Sequence, residues 1–460
     1  MNLEKIHTVY FVGIGGIGMS ALARYFNANG KRVLGYDKTE TKLTASLISE
    51  GISITFKDDV DEIPEDLLVA SDSTLVVYTP AIPKESHVLT HFSENSFQIY
   101  KRSVVLGLIT QHHFTTAVAG THGKTTASSM VAHLLNQVDG GCSAFLGGIA
   151  VNYNSNLLLG KSDHMVVEAD EYDRSFLTLN PNITIITSMD PDHLDIYGAA
   201  ENLEKTFIEF ASKTTADGNV LLHHSLKNKP VFGGEKVYTY GIGSDADWST
   251  MNLRVENGHY LFDLISPIAN IFGVALKMGG IHNVENSIAA IAAAQLSGLD
   301  GENIKTTLES YRGVKRRFEY QIETEDVIYI DDYAHHPKEI ETTLKSARSL
   351  YPGKKISVIF QPHLFSRTRD FEGEFARTLA LADELFLLDI YPAREQPIEG
   401  ISSKILLEKV ALEHKKLVTP DEMLKILQEK RVEVLFTLGA GDIDKLVEPI
   451  KNVLGGTVTL

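Results

Sequence analysis

Along this chain, short unbroken apolar runs alternate with stretches in which apolar residues recur every three or four positions. Glycines or acidic residues follow most of the runs. Unbroken runs read as strands buried on both faces, and the three-to-four spacing as helices with one apolar face. In the first third, Thr8–Val12, Arg32–Tyr36 and Thr74–Tyr78 are expected strands, with a helix running from the glycines after Val12 through Phe26. In the middle third, 116–118, 165–167 and 183–187 are expected strands. A helix carries Ala127, Met130, Val131 and Leu134, and an alanine-rich helix covers 286–296. Between them lies a β-rich insertion, 253–261, in which Asn257-Gly258 signals a two-residue hairpin. The last third alternates again, with strands at 327–330, 355–360, 384–388 and Val434–Leu438. The pattern predicts an α/β protein of three domains with largely parallel sheets. These are an N-terminal Rossmann-like domain (1–112), a central P-loop ATPase-like domain with a β insertion (113–319) and a C-terminal Rossmann-like domain (320–460).

Two glycine turns carry candidate chemistry. The run Ala119-Gly120-Thr121-His122-Gly123-Lys124-Thr125-Thr126 stands between a strand and a helix. Backbone N–H groups and a helix N-terminus can there meet a phosphate, Lys124 can reach the outer phosphates, and the Thr125 hydroxyl can hold Mg²⁺. The full Walker pattern has a glycine where Val118 stands, so the loop is a variant. As a loop lysine, Lys124 is expected to contribute little to the core. The second turn, Gly13-Ile14-Gly15-Gly16-Ile17-Gly18, opens a helix after the first strand, and Asp37 follows about twenty positions later, where a ribose can be bound. On its own this turn fits NAD, another nucleotide or simply a tight bend.

Composition narrows the picture. With 460 residues, 43% of them hydrophobic and 22% charged, the chain is ordinary for a globular protein of several domains. No run of about twenty apolar residues occurs, which predicts no membrane helix. The single cysteine, Cys142, excludes an intramolecular disulfide, fits a reducing cytoplasm and reads as a small buried side chain. A formal charge of −17 argues against a nucleic-acid partner. It also requires local cations wherever an anionic ligand binds.

Three charged clusters follow predicted strands, at the sheet edge where open α/β sheets bind ligands. Glu168-Ala169-Asp170-Glu171 places Glu168 as a candidate ligand of nucleotide-bound Mg²⁺, with Asp170 and Glu171 equally readable as a solvated turn. Asp190-Pro191-Asp192-His193 offers His193 as a ligand to a second Mg²⁺, an unusual donor for so hard a cation. Asp331-Asp332-Tyr333-Ala334-His335-His336-Pro337 opens a helix, so that Asp332 is either its N-cap or a carboxylate for a nucleotide ribose. Arg316 and Arg317 precede this cluster and are placed to meet a phosphate.

The segments GIGGIGMS, GTHGKTT, EADEYDRSFL, MDPDHLDIYG, GIHNVENSIAA, GVKRRFE, DDYAHHP, QPHLFSRTR and GAGDI occur in this order along the whole chain. Together they resemble the Mur ligases, the ATP-dependent amide-bond ligases of peptidoglycan precursor synthesis. The resemblance implies that Gly13, Gly15, Gly16, Gly18 and Asp37 face a UDP-sugar. It implies that Gly120, Thr121, His122, Gly123, Lys124, Thr125 and Thr126 bind ATP, with His282 and Asn283 on the adenine side, Arg317 on the γ-phosphate and Asp332 in the nucleotide site. Thr125, Glu168 and His193 would hold Mg²⁺, and Tyr333, His335 and Arg367 would meet the substrate. The partners it implies are UDP-N-acetylmuramate and L-alanine. The lactyl carboxylate would attack ATP to give an acyl phosphate, which the amine then attacks, with His335 a candidate base. Lys124, His193, Arg317 and His335 are thus the expected catalytic set.

Two departures accompany the resemblance. Lys205 lies two residues from the position of a carbamylated lysine in other members, so no carbamyl-lysine is expected; Leu364 stands where some members have arginine, which gives Arg367 more of the substrate contact. The competing readings are a recycling ligase that adds a tripeptide to the same sugar, an NAD-dependent dehydrogenase and a nucleotide-binding regulator.

Overall fold

A computed structural model describes residues 3–83, 85–191, 194–226, 236–243, 245–256, 258–393 and 395–457. It contains three sheets. The first has the order Ser53–Thr55, Arg32–Tyr36, Thr8–Val12, Thr74–Tyr78, Gln98–Lys101, all parallel. The order reverses at Thr8–Val12, which puts the Gly13–Gly18 turn at the sheet's switch point. Alternation along that strand divides its side chains between two cores: Val9 and Phe11 pack on one face, Tyr10 and Val12 on the other.

The second sheet has ten strands, in the order Ile271–Leu276, His259–Ile265, Trp248–Glu256, Lys236–Gly241, Asn219–His223, Ile183–Ile186, Phe114–Ala119, His164–Glu168, Ser143–Ala150, Ser155–Leu158. Phe114–Ala119 lies between His164–Glu168 and Ile183–Ile186, parallel to both. Their three carboxyl ends therefore deliver the phosphate loop, Glu168 to Glu171, and Thr187 to Asp190 to one edge. The helix Lys124–Leu135 follows the loop, with Ala127, Met130, Val131 and Leu134 fully buried. Expected and observed strands agree here to within two residues, and the alanine-rich helix starts five residues early, at Ile281. Asn257 of the expected hairpin lies outside the described residues; Trp248–Glu256 and His259–Ile265 are neighbours in the sheet.

The third sheet has the order Glu319–Glu323, Ile328–Asp332, Val434–Leu438, Ile356–Phe360, Glu384–Leu387, Lys415–Leu417. It is parallel except for its first strand, which pairs antiparallel with Ile328–Asp332. Chain contacts divide the molecule into two compact units: residues 1–251, 263–272 and 285–308 form one, and 252–262, 273–284 and 309–460 the other.

Cys142 is fully buried and donates to Ala132 O at 3.3 Å, and burial pushes its thiol up to about 12. Among the described residues no helix is long and apolar enough to cross a membrane.

Candidate functional site

The phosphate loop is shaped by what its glycines leave out. Gly120 has φ +134°, and a Cβ there would stand 2.0 Å from Thr187 Oγ1. Gly123, at φ +81°, precedes the helix, and a Cβ there would meet Asn286 Oδ1 at 2.7 Å. Both positions need a positive φ and the missing side chain, which only glycine supplies without strain. The neighbouring strand end clamps the loop: Thr121 Oγ1 lies 2.8 Å from Ser188 Oγ, His122 N donates to Ser188 Oγ at 2.8 Å, and Asp190 N donates to Thr121 Oγ1 at 3.1 Å.

Lys124 is held rather than loose. Its ammonium donates to Gly120 O at 2.7 Å and to Glu171 Oε1 at 2.8 Å. Glu171 is 1% exposed. This decides one open reading and corrects one expectation. Glu171 is no solvated turn, and Lys124 is half of a buried ion pair whose other half needs it. Asp170 does remain partly exposed, with its Oδ2 3.7 Å from Arg102 Nη2.

Thr125 Oγ1 donates to Glu168 Oε1 at 3.1 Å, and Gly147 N donates to Glu168 Oε2 at 3.0 Å. Burial pushes the Glu168 carboxyl above its ordinary range, while Lys124 and the Thr125 hydroxyl pull it back. A cation placed here would favour the charged form in the same way, and oxygen donors suit a hard divalent ion. His193 lies outside the described residues. Among those described, no group of three or more His, Cys, Asp or Glu is arranged to hold a metal. Two protein oxygens suit Mg²⁺ that is held mostly by phosphate and water.

In the N-terminal turn, Asp37 works on the backbone: Gly15 N donates to its Oδ2 at 2.8 Å and Thr39 N to its Oδ1 at 3.0 Å. Gly13 adopts φ +90°. Gly16 caps the helix Ile17–Ala28 without a side-chain hydrogen bond. At Gly18 a Cβ would lie 2.9 Å from Arg102 Nη1, the far end of a flexible side chain that can shift.

The second unit collects its own cluster. Arg316 is used internally, pairing with buried Asp331 at 3.1 Å and donating to Gly439 O at 2.5 Å. Arg317 is exposed, lies over the Tyr333 ring at 5.6 Å, and acts on the Asp332 and Glu339 carboxyls by its charge without a close ion pair among the described residues. Of the adjacent pair, only Arg317 is therefore available for a ligand. Asp332 is not a helix cap. The helix begins at Pro337 with His336 as its N-cap, and Asp332 instead accepts from Phe318 N at 2.9 Å and Ala334 N at 2.7 Å. Burial pushes its carboxyl up to about 6, against the pull of those N–H groups and Arg317.

His335 Nδ1 lies 3.0 Å from Tyr333 O. A carbonyl only accepts, so Nδ1 carries the proton and Nε2 keeps its lone pair. Burial holds His335 below the ordinary histidine value; Glu339 opposes this, while Arg367 and Arg317 add to it. His363, which the sequence reading passed over, lies 6.0 Å from His335 by ring centroids and is likewise lowered by burial. Arg367 Nη1 is buried without a hydrogen-bond partner among the described residues. Leu364 precedes its helix at φ +71°, a strained position for a branched residue. Asn283 donates to Gly279 O at 2.6 Å, and His282 is half-buried beside Gly280. Lys205 is exposed on the helix Ala200–Ala211.

Comparison with known proteins gives a consistent result along the chain. Residues 8–114 match the Mur ligase family catalytic domain, 118–294 the Mur ligase middle domain, and 316–441 the Mur ligase glutamate ligase domain. The chain is 49% identical to the UDP-N-acetylmuramate–L-alanine ligase of Flavobacterium psychrophilum over 99% of both chains. It is similar to the crystal structure of the UDP-N-acetylmuramate–alanine ligase of Thermotoga maritima, with a TM-score of 0.82 and 28% identity over 98% of this chain and 99% of that one. A murein peptide ligase from Psychrobacter arcticus shares the fold at a TM-score of 0.69 and 22% identity, over 98% of this chain and 99% of that one.

Proposed function

The chain belongs to the Mur ligase family, and from that premise we propose that it joins L-alanine to the lactyl carboxylate of UDP-N-acetylmuramate, using ATP, in the cytoplasm. One observation carries this reading: the likeness to relatives that bear this name runs through all three sheets, at nearly half identity from end to end.

The chemistry asks one anion to attack another. Two unit charges ~4 Å apart repel by about 4 kcal/mol at an effective dielectric of ~20. Lys124 and Arg317 are the cations assigned to lower that cost and to stabilise the transferred phosphoryl group. Mg²⁺ bound by Thr125 and Glu168, with His193 as the further ligand that the resemblance implies, would supply additional positive charge there. The carboxylate takes the phosphoryl group as an acyl phosphate and ADP leaves. The alanine amine then attacks the acyl carbon, and phosphate departs from the tetrahedral intermediate. Domain roles follow the sequence reading: sugar nucleotide on 1–112, ATP on 113–319, amino acid on 320–460. Within these, Gly13, Gly15, Gly16, Gly18 and Asp37 shape the UDP turn. His282, Asn283 and Asp332 serve the nucleotide, and Tyr333, His335 and Arg367 the substrate.

ADP release measured with UDP-N-acetylmuramate, with and without L-alanine, tests the proposal; turnover should need both. L-Alanine should beat glycine only modestly, because one methyl group is worth about 1–3 kcal/mol in a pocket. A tripeptide acceptor should be excluded by size. Equal or faster product formation with L-Ala-γ-D-Glu-diaminopimelate would make the chain a recycling ligase instead.

His335 is assigned as the base for the amine through Nε2. Because burial lowers its proton affinity, its neutral form persists below pH 6.5, the ordinary histidine value. The acid limb of the rate profile should accordingly have its midpoint below 6.5, and His335→Gln should lower kcat and remove that limb. A profile in His335→Gln with an unchanged acid limb would assign the proton to another group.

A further inference from the structure

The run Gln361-Pro362-His363-Leu364 leaves the strand Ile356–Phe360 and turns into the short helix Phe365–Asp370, which carries Arg367. A helix starts with backbone N–H groups that have no partner within it, and a Ser, Thr, Asp or Asn at the N-cap usually meets one of them. Here the N-cap is Leu364, whose side chain has no acceptor. Its backbone is held at φ +71°, a conformation that persists only where the surroundings over-determine it. The acceptor and the brace must both come from elsewhere in the chain.

They come from the loop that follows the next strand, Glu384–Leu387. The two strands pair in parallel, so their carboxyl ends set the two loops side by side. Leu364 N donates to Tyr391 O at 2.9 Å, and Tyr391 N donates to Pro362 O at 2.8 Å. The rings of His363 and Tyr391 stack at 5.8 Å. Glu395, further along the same loop, supplies the missing cap. Ser366 N donates to its Oε2 at 3.0 Å, and the Ser366 hydroxyl donates to its Oε1. The Ser366 hydroxyl, and then its N–H, hold the Glu395 carboxyl below the ordinary carboxylate range. Arg367 is the next residue, so its backbone leaves a turn that Glu395 has fixed.

We propose that Glu395 is a positioning residue for the ligation: by capping the helix at Ser366, it sets the direction from which Arg367 meets the carboxylate of the amino acid. The inference rests on the proposed role of Arg367 toward L-alanine. Glu395 acts through two hydrogen bonds and one peptide unit, not by touching substrate. Without them the first turn frays, and ordering Arg367 again becomes part of the cost of each binding event.

The test is steady-state kinetics on the full chain with L-alanine, ATP and UDP-N-acetylmuramate varied in turn, with thermal melts of every variant. Glu395→Ala should raise KM for L-alanine by about three- to tenfold, the size of one net hydrogen bond. Its kcat and the KM values for ATP and the sugar nucleotide should stay within about twofold of wild type, since only amino-acid binding has been weakened. Glu395→Gln keeps an acceptor for the N–H and a donor for the hydroxyl oxygen, and should bring KM for L-alanine back to within about twofold. Ser366→Ala removes the hydroxyl arm alone and should give a smaller rise of the same kind, which decides the matter if Glu395→Ala melts early. Added to Arg367→Ala, Glu395→Ala should change KM for L-alanine by less than about twofold, because two residues acting through one contact are not additive. Full multiplication of the two effects in that double variant overturns the proposal. So does a parallel rise in all three KM values, the mark of a general fold defect, or a wild-type KM for L-alanine in Glu395→Ala. A wild-type KM for L-alanine in Arg367→Ala is a separate failure, and removes the assignment of Arg367 itself.

Discussion

Lys124→Ala is expected to lower ligase turnover by about a hundred- to a thousandfold, the usual loss when a group aimed at developing charge is removed. The structure adds a second effect that the sequence reading did not foresee. Lys124 is only 15% exposed, and its carboxylate partner Glu171 1%. Removing the lysine leaves a buried charge without its cation, a change that typically costs about 3–5 kcal/mol. The single variant should therefore melt well below wild type, and loss of activity alone would not separate chemistry from unfolding. Adding Glu171→Gln removes the stranded charge. The double variant should recover most of the melting temperature while turnover stays lost. ADP release and thermal denaturation on the three chains decide the matter; turnover within tenfold of wild type in the stable double variant would mean that the phosphate loop has been misassigned.

Arg367→Ala is expected to raise KM for L-alanine by about ten- to a hundredfold, the range for hydrogen bonds to a charged group. The motivating observation is the buried Nη1 without an acceptor, a costly state that a substrate carboxylate would relieve. Arg367 also lowers the proton affinity of both His335 and His363. Its removal should move the acid limb of the rate profile to higher pH, because the imidazole then holds its proton more readily. Steady-state kinetics over pH would show both effects at once. An unchanged KM with an unshifted profile would place Arg367 outside the substrate site.

Much of the site was legible because its signals are local. A glycine loop between an unbroken apolar run and a helical repeat is a backbone statement, and it survives any arrangement of the rest. The same holds for Glu168 and Asp332, each the last residue of its strand. What the sequence could not say is which of two adjacent charged residues faces inward. Arg316 and Arg317 are indistinguishable in a string; both stand over the Tyr333 ring, but one is tied to Asp331 and Gly439 and the other is exposed. Asp170 and Glu171 likewise look alike, yet one stays partly exposed beside Arg102 and the other is buried against Lys124.

The sequence by itself determined the alternation of strands and helices, the two glycine turns and the family, all of which depend on residues close together along the chain. The tertiary structure decided partnership. Arg102 meets Gly18 and Asp170 across 84 and 68 positions of chain, Lys124 meets Glu171 across 47, and Thr121 meets Ser188 across 67. Such pairings follow from strand order in parallel sheets, where each crossover brings a distant loop to the same edge. Apolar periodicity specifies that a strand is buried, and carries no information about which strand lies beside it.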